Sequence, residues 1–98
     1  MDYQKIITGD KNVLVEFFAS WCPHCQRMMP VVSDVVASLN GKVSLTQIDI
    51  DKYEALSDSE HIETVPTFIM YVDGKEVWRQ SGEMTAQQMI DKIKSAID

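Results

Sequence analysis

Residues 13–25 read VLVEFFASWCPHC, and the change of pattern inside this stretch decides the fold. Val13 to Ala19 is a nearly continuous apolar run of strand length, which reads as a central strand covered on both faces. Such a strand needs helices as neighbours. From Cys22 onward Met28, Val32, Val35 and Leu39 fall at helical spacing, and Asn40-Gly41 supplies the left-handed stop expected after a helix. Pro30 lies inside this longest helix, where it removes a backbone bond and crowds the preceding turn, so a kink is expected there. A buried strand thus runs into a helix through two cysteines three positions apart.

Working outward, Val43 to Ile50 alternates, with Val43, Leu45 and Gln47 on one face and Ser44, Thr46 and Ile48 on the other, which marks a second strand. Tyr53 to His61 reads as a weaker, acidic helix. Thr67 to Val72, then Asp73-Gly74, then Glu76 to Ser81 is a hairpin pattern, because Asp-Gly takes the turn conformations that join antiparallel strands. Thr85 and Gln88 form a capping box that opens a last helix, with Ala86, Ile90, Ile93 and Ile97 on one face. Upstream of Val13 there is a short helix-like stretch, Tyr3 to Thr8. The order implies a parallel strand pair joined by a helical crossover, then an antiparallel pair: one α/β domain spanning 1–98, with helices on both faces of its sheet.

The 98 residues carry a formal charge of −6. That balance disfavours nucleic acid and anionic membranes as partners, since both call for basic patches. Met1 to Asn12 is mixed and polar, without the basic, apolar and small-residue succession of a signal peptide, so a cytoplasmic location is expected; a periplasmic or secreted one would follow if a signal peptide had been removed. Two cysteines are too few for a disulfide-stapled secreted scaffold and are better read as chemistry.

Taken together, WCPHC at 21–25, the strand leading into it, Val65-Pro66-Thr67 before the hairpin and the Asp73-Gly74 turn resemble the thioredoxin family. The match runs from about Lys11 to Ile97 and implies a three-layer fold with a central mixed sheet. Three departures stand out. The family's usual N-terminal strand has no counterpart before Val13, which would make Val43 to Ile50 a sheet edge and open a route to edge-strand dimers, although a monomer is expected. Pro23-His24 between the cysteines resembles the periplasmic disulfide oxidases. Gln47 stands where the family has a buried lysine.

Residues three apart in a first helical turn lie on one side of it, close enough for a disulfide. Cys22, at the helix start, meets unpaired N–H groups and the positive end of the dipole, which favour the thiolate, so it is assigned as nucleophile. Cys25, one turn further in, is the resolving thiol. Two rival readings are inert buried cysteines and a zinc site, which would need His24 and His61 as further ligands. The redox context outweighs both, and neither a metal nor an organic cofactor is expected.

Pro23 suits a first helical turn because it has no N–H to leave unpaired. His24, if protonated, would stabilise the neighbouring thiolate; the alternative is an exposed histidine of little influence. Glu16 is an acid in an apolar run, either reaching solvent at an edge or held inside with a raised pKa; the resemblance implies that it serves as the proton acceptor for Cys25. The resemblance also makes Val65-Pro66 a cis-proline loop facing the cysteines, with the Val65 backbone pairing to the extended substrate chain. Trp21, Pro23 and Gly82 would complete a shallow apolar surface around Cys22, unless Trp21 packs on the sheet.

The expected activity is dithiol–disulfide exchange that reduces substrate proteins, with an external reductant such as a thioredoxin reductase restoring the dithiol. Its rivals are an oxidase or isomerase in an oxidising compartment, and a binding module that uses the fold without turnover. The expected potential lies between about −270 mV, typical of thioredoxin, and about −120 mV, that of a strong periplasmic oxidant, nearer the reducing end.

Overall fold

In a computed structural model describing residues 1–97, the apolar run becomes β1 (Asn12–Phe18), preceded by α1 (Tyr3–Thr8). There follow α2 (Pro23–Ser38), β2 (Ser44–Asp49), α3 (Glu54–Ser59), β3 (Thr67–Val72), β4 (Lys75–Ser81) and α4 (Ala86–Ile97). The four strands form one sheet in the order β2-β1-β3-β4. β1 pairs with β2 in parallel and with β3 antiparallel, and β3 pairs antiparallel with β4.

Because side chains alternate along a strand, β1 feeds two cores. Leu14 points with Phe68 and Met70 of β3 toward Met28, Val32 and Val35 of α2 and Met89 and Ile93 of α4. Val13, Val15 and Phe17 point the other way, with Ile69 and Tyr71, toward Ile7 of α1, and Leu56 of α3 packs against this second cluster. The result is the three-layer arrangement. Leu14, Val15 and Phe17 are fully buried, and each such side chain contributes about 1.5–3 kcal/mol of burial.

The turns are as their residues dictate. Asn40 and Gly41 both have positive φ, 50° and 78°, which ends the helix before β2. Asp73 and Gly74 also both have positive φ, 52° and 78°, as the two central residues of a type I′ hairpin require. The capping box forms reciprocally: Gln88 N–H donates to Thr85 Oγ1 at 3.1 Å, and Thr85 N–H donates to Gln88 Oε1 at 2.9 Å.

Two expectations about helices need correcting. Tyr53 to His61 shortens to Glu54–Ser59, with Tyr53 as the N-cap and His61 beyond the end at φ 59°. On α4, Ala86 is exposed and the buried anchors are Met89 and Ile93, with Ile90 and Ile97 partly covered. Isoleucine spacing alone passed over Met89, whose unbranched side chain fills the gap against β3. Pro30 sits within α2, which runs unbroken across it. No strand precedes β1 among the described residues, so β2 is an edge of the sheet.

Candidate redox site

The site is built where β1 ends and α2 begins. Phe18 closes the strand, and Cys22 N–H donates to the Ala19 carbonyl at 3.2 Å, turning the chain so that Cys22 is the N-cap of α2 with Pro23 behind it in the first turn. Pro23 has no N–H to leave unpaired there. Cys25 follows one turn later. Both thiols are free, Cys22 is 5% exposed and Cys25 1%, so an incoming group reaches Cys22 first.

The two thiols are driven apart in acidity. Cys22 lies below the ordinary thiol range chiefly because the Cys25 backbone N–H points at its sulfur; burial opposes this, while the Cys25 thiol, the His24 N–H and the Arg27 charge assist. Cys25 is pushed up to about 11, first by burial and then by the neighbouring Cys22 and Glu16, against a backbone hydrogen bond at Ala19. The helix start therefore favours the thiolate of the outer cysteine and burial favours the thiol of the inner one.

Beneath them, Glu16 is wholly buried on the α2 face of the sheet. Gln47, paired with it across β1 and β2, donates from Nε2 to Glu16 Oε1 at 2.9 Å, while Glu16 Oε2 has no partner. Burial raises the Glu16 pKa and the Gln47 hydrogen bond partly offsets the rise. The same Gln47 amide touches Met29 Sδ at 3.2 Å. Gln47 itself is exposed, because β2 is an edge.

Across from the cysteines, the Val65–Pro66 peptide bond is cis. Cys22 Sγ donates to the Val65 carbonyl at 3.8 Å. Gly82, at φ 92°, donates its N–H to the Pro66 carbonyl at 2.8 Å, tying the end of β4 to this loop. Trp21 is 64% exposed and donates from Nε1 to Asp51 Oδ2 at 2.8 Å, so it stands at the surface and does not pack on the sheet. Trp21, Cys22, Ile50, Ile62, Glu63, Thr64 and Val65 line a groove of about 280 Å³ beside the sulfur.

His24 engages a carboxylate from beyond β4. Its Nδ1 meets Glu83 Oε2 at 2.7 Å, and Arg27 holds the same carboxylate with Nε and Nη2. Sequence reasoning passed over Arg27 and Glu83 and assigned Asp51 to a solvated face. Only Glu83 carried a usable signal, its place directly after Gly82. Among the described residues, no three His, Cys, Asp or Glu side chains converge as a metal would require. No helix among them is long and apolar enough to cross a membrane.

Residues 1–95 match the family model described as Thioredoxin. The chain belongs to the thioredoxin family. Among its relatives, thioredoxin Y1, chloroplastic, of Arabidopsis thaliana is 37% identical over 92 residues, covering 94% of this chain and 54% of that protein. A thioredoxin-like protein of Synechocystis is 33% identical over 94 residues, covering 95% of this chain and 90% of the other. Among solved structures, a mutant thioredoxin from Halobacterium salinarum superposes with a TM-score of 0.88 at 27% identity, covering 99% of this chain and 84% of that one. The oxidised thioredoxin from Plasmodium falciparum gives 0.84 at 26% identity, covering 99% and 91%. The chain spans about half the length of the chloroplastic thioredoxins Y it matches. The plastid names of these thioredoxin relatives lend no support to the cytoplasmic location expected above.

Proposed function

We propose that this chain is a protein dithiol–disulfide oxidoreductase that reduces disulfides in substrate proteins. The observation that carries the reading is the asymmetry of the pair: Cys22 is acidified at the open end of α2, while Cys25 is held protonated one turn below it. Inert cysteines need no such difference.

The Cys22 thiolate attacks one sulfur of the substrate disulfide, forming a mixed disulfide and releasing the other sulfur as a thiolate that takes a proton. The substrate's extended chain pairs with the Val65 backbone and lays a side chain in the groove beside Trp21. Glu16, whose Oε2 has no partner, accepts the proton of Cys25. Cys25 then attacks Cys22 Sγ, the mixed disulfide breaks, and the substrate leaves with two electrons gained. A Cys22–Cys25 disulfide remains, which an external reductant such as a thioredoxin reductase returns to the dithiol.

Reduction is read as the working direction because the chain is similar to thioredoxins over nearly its whole length, and the contacts that favour the Cys22 thiolate are led by the Cys25 backbone N–H. Every group in this scheme lies in one copy of the chain, which supports a monomer as the working unit. We place it in a reducing compartment, the cytoplasm or the interior of a plastid.

The test is reduction of insulin by a dithiol reagent. The native chain accelerates precipitation of the freed chains and Cys22→Ser gives only the uncatalysed rate. Equal rates for the two would end the reading.

A further inference from the structure

The groove beside Cys22 does not end at its apolar lining. Ile50 and Ile62, which form part of it, also line a second pocket of about 240 Å³ together with Asp51, Glu54, Ser57 and Asp58. The two cavities share a wall, so the surface that starts at Cys22 continues past two isoleucines to a set of carboxylates. Backbone contacts fix that wall. Ile50 N–H donates to the Phe18 carbonyl at 2.9 Å, and Asp51 N–H donates to Asp49 Oδ1 at 2.8 Å. Beyond α3, His61 at φ 59° turns the chain back, and Ile62 N–H donates to the Ser57 carbonyl at 3.0 Å.

The acids alone would be an ordinary solvated face, and Glu54 in the first turn of α3 is where a helix favours one. Their setting gives them a further use. Among the described residues, none of Asp51, Glu54, Asp58 and Glu63 forms an ion pair, whereas Glu83 is taken by Arg27 and His24. Lys52 and His61, the basic residues nearest in sequence, line neither cavity. An apolar floor that leads to free negative charge matches a lysine or arginine side chain, whose alkyl stem covers apolar surface while its head carries the charge. An apolar substrate residue would fill the first cavity and leave the second to water. An acidic one would meet like charge.

We propose that this extended groove selects substrate chains that carry a lysine or arginine near the reacting cysteine, with its stem over Ile50 and Ile62 and its charge facing Glu54 and Asp58. The inference rests on the proposed role of Cys22 and names the substrate class of that site: disulfides flanked by basic residues. Asp51 adds charge while it holds the Trp21 indole N–H at 2.8 Å, which joins the aromatic rim to the acidic end. Because these groups are exposed, each attraction is modest and screened by salt.

The test uses three synthetic peptides that share one intramolecular disulfide and differ only in the residues flanking the cysteines: lysine, glutamine or glutamate. For each peptide, kcat/KM for reduction by the native chain, kept reduced by dithiothreitol, is divided by the rate constant for dithiothreitol alone. The division removes the effect of peptide charge on the disulfide itself. The normalised lysine-to-glutamate ratio is expected to be about tenfold at low salt, with the glutamine peptide between. In 0.5 M sodium chloride it should fall to about twofold. Glu54→Gln combined with Asp58→Asn should give about twofold at low salt, while Asp34→Asn combined with Asp91→Asn, the same loss of charge outside both cavities, should keep the native ratio. A native ratio near one would overturn the proposal. So would an equal fall in the two double variants, which would assign the preference to net charge. A chain that reduces none of the peptides would end the redox reading itself, whereas equal reduction of all three would end only this inference.

Discussion

Gln47 Nε2 donates to Glu16 Oε1 at 2.9 Å across the β1–β2 pair, leaving Glu16 Oε2 buried without a partner. A neutral amide therefore supports the buried acid from a sheet edge open to water. Burial raises the Glu16 pKa, so over a window starting at the ordinary carboxylate range the native state holds a proton that the unfolded chain has released. Stability must fall as pH rises through that window. Glu16→Gln is expected to flatten the slope and to gain about 1–3 kcal/mol at pH 8, measured by urea unfolding at pH 5 and pH 8. Gln47→Leu should extend the falling limb to higher pH and Gln47→Lys should shift it lower. Identical slopes in all four chains would remove Glu16 as a buried titrating group.

The acidity gap between the cysteines makes a second expectation. With Cys22 lowered and Cys25 near 11, alkylation at pH 7 should modify Cys22 and spare Cys25. The thiolate fractions differ by about a hundredfold or more, reduced to roughly tenfold in rate because the more basic thiolate is the better nucleophile. Burial of Cys25 widens the margin. Peptide mapping after brief treatment reads the ratio directly; comparable labelling of both would contradict the assigned roles.

The placement of the two cysteines was legible in the sequence because it depends on position along one helix. The strand, the helix start and the spacing of Cys22 and Cys25 are local, as are the Asp73-Gly74 turn and the Thr85–Gln88 box. What stayed hidden was side-chain contact over long sequence separation. Nothing near His24 announces Glu83, 59 residues away, and nothing near Trp21 announces Asp51. Gln47 was placed correctly opposite the strand acid, but a lysine position that the resemblance implies to be buried became an exposed glutamine here, because β2 has no outer neighbour among the described residues. Met89 was missed for a different reason, since an apolar face read from isoleucines alone overlooks a methionine one turn away.

Gly82 joins stability to function. At φ 92° it occupies a conformation that side chains rarely adopt, although a Cβ there would meet nothing within 4 Å. Gly82→Ala should therefore cost only about 1 kcal/mol, from backbone strain. Insulin reduction should fall by several-fold more than unfolding accounts for if the added methyl stands on the surface that the proposed scheme gives to the substrate chain. Turnover that merely tracks the folded fraction would make Gly82 a turn residue and nothing more.

The reduction potential should fall between about −270 and −120 mV, toward the reducing end. Pro23-His24 alone would argue for an oxidant, but the His24 side chain is bonded to Glu83. Equilibration with glutathione, followed by quantifying the dithiol form, gives the value. A potential near the oxidising limit would favour the oxidase or isomerase reading.

The central claim is a division of labour, with Cys22 attacking and Cys25 resolving, and trapping the intermediate tests it most directly. A Cys25→Ser chain incubated with a disulfide-bonded substrate protein should accumulate a covalent one-to-one adduct through Cys22, identified by intact mass and released by a reducing agent. The matching Cys22→Ser chain should form almost none. Equal trapping by the two variants, or an adduct carried by neither, would contradict the account.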